Sequence, residues 1–141
     1  MLDRERILEK LADLESYLRE LEKILPESLD VYLGSIEKRR ATERILQLSI
    51  EVVIDICAML VSGLKLGIPG EEDDLFDKLK CDMVISEEMR QKLQSMRGFR
   101  NILVHEYTSV DNQLVFEIAR DSTEDFQAFK SEVLGYLDNL S

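Results

Sequence analysis

The chain has 141 residues, 45% of them apolar and 33% charged, with 29 Asp and Glu against 18 Lys and Arg. A net charge of −11 excludes a protein that coats nucleic acid with its whole surface, because such binding draws on phosphate neutralisation and counterion release. Any RNA contact is therefore expected at a local basic site.

Residues 3–25 set Ile7, Leu11, Leu14, Leu18, Leu21 and Leu25 at steps of three and four, which predicts an amphipathic helix stopped by Pro26. "PESLDVYLGS" reads as a connector with some helical character. The segment Ser35–Val61 is striped in its first half and apolar nearly all round in its second, so it is expected to be the central, most buried helix. Gly63, Gly67, Pro69 and Gly70 then break the chain. "EEDDLFDKL" reads as a short helix whose acidic first turn is favourable against the helix dipole. Ser86 is a good N-cap for a helix reaching about His105.

Asp111 can cap a last helical stretch with a joint at "RDST", and "QLVFEI" within it is the one place where a short strand could compete. The expected fold is all-α, a bundle of four or five helices in a single domain over residues 1–141. The longest unbroken apolar run, Ile56–Val61, is six residues, so no membrane span is expected, and the charged N-terminus does not read as a signal peptide.

The stretch "MRGFRNILVHEY" holds the single histidine. On a helical wheel centred on Met89, residues Leu93, Met96, Leu103 and Val104 fall within about 60°, and Arg100 lies at about 20°. Arg100 thus points along the apolar stripe, where an unpaired guanidinium is costly. One reading gives it a carboxylate partner, for which Glu51 and Asp55, spaced i, i+4 on the central helix, are candidates. The other has it meet a phosphate in a groove or subunit interface, where its planar fork suits that anion.

His105 diverges from Arg100 by about 140° on one straight helix, whereas Asn101 and His105 share a face. Either the helix unwinds before His105, or two subunits complete each other's site. A lone histidine can equally be structural. Tyr107 reads as a packing residue or a modifiable hydroxyl. Arg39, Arg40 and Arg44 in "EKRRATER", with Arg97, could contact RNA; "EEDD" reads as a solvated acidic face. Two cysteines, Cys57 and Cys81, without CxxC spacing and with one histidine, cannot form a zinc site and read as reduced thiols of a cytoplasmic protein. Without GxGxxG or GxxxxGK(S/T) there is no phosphate cradle of those kinds, and neither metal nor cofactor is expected.

Arg100, four residues, His105, one residue and Tyr107 together resemble the R-x4-H-x-Y signature of the HepT-like branch of the HEPN superfamily. "ATERILQLSIEVVIDICAML" is similar to that family's second helix, and the resemblance spans about residues 4–137. It implies an up-and-down HEPN-type bundle that forms a homodimer around the motif helix, with two motifs facing one cleft. It implies a toxin with metal-independent endoribonuclease activity, Arg100 and His105 as the site and Asn101 as polar neighbour. It also implies a cognate minimal nucleotidyltransferase antitoxin that adenylylates Tyr107. Two alternatives stand beside it: a non-catalytic helical module that binds the nucleotidyltransferase, and a nucleotide-binding regulator.

Overall fold

The computed structural model describes residues 2–105 and 110–140, and among them the chain forms seven α-helices and no strand. These are α1 (Arg4–Ile24), α2 (Leu29–Leu33), α3 (Ile36–Gly63), α4 (Glu72–Cys81), α5 (Glu87–His105), α6 (Asn112–Asp121) and α7 (Thr123–Asn139). The all-α expectation holds, and the two helices beyond five have local causes. Ser28 caps a single turn in the connector by accepting from the Val31 amide at 3.2 Å. At the C-terminal joint Ser122 closes α6, its amide donating to the Ile118 carbonyl at 2.8 Å, and opens α7.

The α1 stripe is Ile7, Leu11, Leu14, Leu18 and Leu21, all buried, and α1 packs along α3. Each such side chain contributes about 1.5–3 kcal/mol on burial. From α3 come Leu46, Ile50, Val53, Ile56, Cys57 and Leu60, from α4 Phe76 and Leu79, and from α7 Phe126 and Phe129, joined in one core. Among the described residues α3 is long and apolar enough to cross a membrane, which the six-residue run did not reveal; 56% of its most apolar window is buried inside the bundle.

"QLVFEI" is helical. The Asp111 carboxylate accepts from the Leu114 amide at 3.2 Å, and the buried residues Val115, Phe116 and Ala119 follow a helical rather than an alternating pattern. Phe116 lies 5.2 Å from the ring of Tyr32, which is wholly buried. Burial pushes the Tyr32 phenol up to about 12. Gly67, at φ +112°, makes the turn after α3 in a conformation that side-chain-bearing residues rarely adopt. Cys57 is buried and its thiol is pushed up by desolvation, whereas Cys81, the last residue of α4, is exposed.

Candidate functional site

The site is built where α5 crosses the start of α4. Ser86 begins α5 as expected, its Oγ accepting from the Met89 amide at 3.0 Å, and Glu132 of α7 holds Ser86 in turn through its amide at 2.7 Å. Glu87 is held down to about 2, chiefly by the Arg90 guanidinium that donates to it and then by Gln91. Met89, Leu93, Met96, Phe99 and Leu103 face the core, while Val104, expected on that stripe, is exposed.

Arg97 and Arg100, one turn apart, both lie against the first turn of α4. The Arg100 side chain is 15% exposed. Its Nη2 donates to Glu72 Oε1, and its Nε donates to Asn101 Oδ1 at 3.0 Å. Arg97 shares the same Glu72 oxygen through Nε at 3.2 Å and reaches Asp73 Oδ2 through Nη1 at 3.3 Å. Such a partly exposed cluster sits between an exposed pair, at about 0–1 kcal/mol, and a fully buried one, whose disruption costs about 3–5 kcal/mol.

The carboxylates Glu51 and Asp55 are not the partners of Arg100. Glu51 accepts from Gln47 at 3.0 Å, and Asp55 pairs with Lys10 of α1 at 3.5 Å, because the face carrying Asp55 is turned towards α1. The acidic run read as a solvated face supplies the partner instead. Its signal in the sequence was its place in a helical first turn, where backbone geometry fixes carboxylates in space.

α5 is helical through His105, so unwinding ahead of that residue is not how the motif is arranged. His105 is exposed, and no hydrogen bond joins it to Arg100 among the described residues. Arg39 donates to the Leu33 carbonyl, Arg40 pairs with Glu43 at 3.0 Å, and Arg44 is exposed; none is joined to the Arg97–Arg100 cluster. Tyr107 lies outside the described residues. Among the described residues no group of three His, Cys, Asp or Glu side chains is placed to hold a metal ion.

The ribonuclease HepT-like family model matches residues 14–133. The chain belongs to that family. It is similar to the tRNA nuclease HepT of Aphanizomenon flos-aquae, at 33% identity over 124 residues, covering 88% of this chain and 84% of that one. It is also similar to the mRNA nuclease HepT of Shewanella oneidensis, at 33% identity over 84 residues, covering 60% and 63%. Among solved structures, the tri-AMPylated Shewanella oneidensis HEPN toxin in complex with MNT antitoxin superposes with a TM-score of 0.85 at 24% identity, covering 92% of this chain and 96% of that one. The Bacillus subtilis cytosolic protein YutE superposes at 0.83, also at 24% identity, covering 98% and 92%. At that identity the superpositions establish the HEPN-type fold. In this HepT-like chain, then, the arginine of the R-x4-H-x-Y spacing reaches from α5 to an anchor on α4, and the histidine at the end of α5 is exposed.

Proposed function

We propose that this HepT-like protein is the toxin of a toxin–antitoxin pair and acts as a metal-independent endoribonuclease in the cytoplasm. The observation that carries the reading is the presence on one helix of a guanidinium whose Nη1 has no hydrogen-bond partner among the described residues and of an exposed imidazole five residues on. In this reading His105 takes the proton from a ribose 2′-OH. The 2′-oxygen then attacks the adjacent phosphorus, and the 5′-oxygen leaves with a proton returned by an acid. Arg100 stabilises the charge that builds on the phosphorane. The products carry a 2′,3′-cyclic phosphate and a 5′-OH. In a homodimer two Arg100 and two His105 flank one cleft, so the divergence of about 140° within each helix is no obstacle.

The partner in this reading is a nucleotidyltransferase antitoxin, supported by the antitoxin complex of the Shewanella toxin. It transfers AMP from ATP to the Tyr107 hydroxyl, releasing pyrophosphate. The new phosphodiester occupies Arg100 and blocks RNA, as phosphorylation can.

One observation favours a second reading, a non-catalytic module that only binds the nucleotidyltransferase: Arg100 is paired with a carboxylate of its own chain. The experiment that separates the two is incubation of the purified protein with total tRNA and a single-stranded RNA in excess EDTA. The wild type is expected to cut and leave cyclic-phosphate ends. A 2′-deoxy nucleotide at the cut site should block cleavage, and Arg100→Ala should lower the rate by about 10²–10³-fold. Absence of cleavage by the wild type, or equal cleavage by Arg100→Ala, transfers the assignment to the binding module. Full activity of a protein completely adenylylated at Tyr107 removes the switch.

A further inference from the structure

A guanidinium offers donors along two edges, and a phosphate is best met by an edge already held in place. In Arg100 the Nε–Nη2 edge is taken: Asn101 accepts from Nε at 3.0 Å and Glu72 accepts from Nη2. Nη1 has no hydrogen-bond partner among the described residues. The carboxylate that fixes the fork is itself firmly placed. Glu72 is the first residue of α4, whose first turn is locked by the Asp74 carboxylate accepting from the Gly70 amide at 2.8 Å and the Glu71 amide at 3.1 Å. Those two amides hold the Asp74 carboxyl below its usual range. One turn further on, Leu75, Phe76 and Leu79 anchor the helix in the core.

The cluster carries no net positive charge, and Asp74 in the same first turn of α4 adds a further carboxylate. Arg97 and Arg100 face Glu72 and Asp73, two cations against two carboxylates. Such a group attracts distant phosphates weakly, so its value to the reaction lies in aim rather than in net pull. A phosphate at Nη1 would be met by a guanidinium whose plane and position are set before the RNA arrives, which is how a fixed donor lowers a barrier.

We propose that Glu72 is a positioning residue for Arg100, holding the guanidinium so that Nη1 is presented to the reacting phosphate; this rests on the nuclease reading above. The rival role is a blocking anion that RNA must displace, and the two predict opposite changes.

The experiment compares wild type, Glu72→Ala, Glu72→Gln and Arg100→Ala. It measures single-turnover cleavage at saturating RNA, affinity for a 2′-deoxy uncleavable RNA, and melting temperature. Positioning predicts that Glu72→Ala slows saturated cleavage by roughly 10²-fold while binding is unchanged or a few-fold tighter. Glu72→Gln keeps an oxygen that accepts from Nη2 and should recover most of the rate. Cleavage by Glu72→Ala at or above the wild-type rate, with Arg100→Ala inactive, overturns the proposal alone. Equal losses in Glu72→Ala and Glu72→Gln that follow a fall in melting temperature also overturn it, leaving a structural ion pair. Wild-type cleavage by Arg100→Ala overturns the nuclease reading itself, and the role of Glu72 with it.

Discussion

The two halves of α5 are held by different kinds of contact. From Glu87 to Met96 the helix buries Met89, Leu93 and Met96 and pairs its charges on the surface, Arg90 with Glu87 and Asp77, and Lys92 with Asp125. From Arg97 to His105 the helix still buries Phe99 and Leu103, but its arginines turn to the first turn of α4, and Ile102, Val104 and His105 are exposed. Gly98 lies between the two arginines of the motif half, with no other described residue within 4 Å of where a Cβ would stand. Both halves contribute to the core, but only the second also presents donors and exposed apolar side chains to whatever approaches, so exposed positions of that half should change activity without changing stability.

The largest expected separation is at His105. Replacing it with alanine should lower RNA cleavage by about 10²–10⁴-fold, as loss of a general acid or base does, while changing stability by no more than about 0.5 kcal/mol. Initial rates and thermal melts on the same preparation check both. A melt shifted as far as the activity would mean that the motif half is structural after all.

Leu93, 1% exposed in the other half, should behave in the opposite way. Leu93→Ala is expected to cost about 2–5 kcal/mol of stability by denaturant titration, with the folded fraction cleaving at the wild-type rate. Loss of activity in molecules that remain folded would show that packing in the first half also sets the aim of the second.

The smallest effect is at Gly98. Gly98→Ala should stabilise the chain by about 0.5–1 kcal/mol, because a helix-interior glycine carries that entropic cost and the site has room for a methyl group. A lower melting point would mean that another chain already packs closely there.

The framework of helices was readable from local signals. Leucines at three- and four-residue steps mark α1, Pro26 follows its end, and Ser86 and Asp111 cap α5 and α6. The strand alternative at "QLVFEI" was lost because its β-branched and aromatic composition says less than the packing of Phe116 on Tyr32. At the candidate site, the inward direction of Arg100 was legible from the wheel, but its partner was not. Glu72 lies 28 residues away across the connection between α4 and α5, and nothing in spacing encodes how far α4 rotates to meet α5. The i, i+4 pair Glu51 and Asp55 was the expected partner, and it failed because wheel geometry orders residues around one helix without saying which neighbour each face receives.

The two cysteines, unremarkable in the chemistry, give the molecule a built-in reporter position. A maleimide dye needs an accessible sulfur, which buried Cys57 does not offer and exposed Cys81 does. Cys81 ends the helix that Glu72 begins, about 13 Å along its axis. A fluorophore there would ride on α4 without touching Arg100, so its emission could register whether the helix stays still or tilts when RNA arrives.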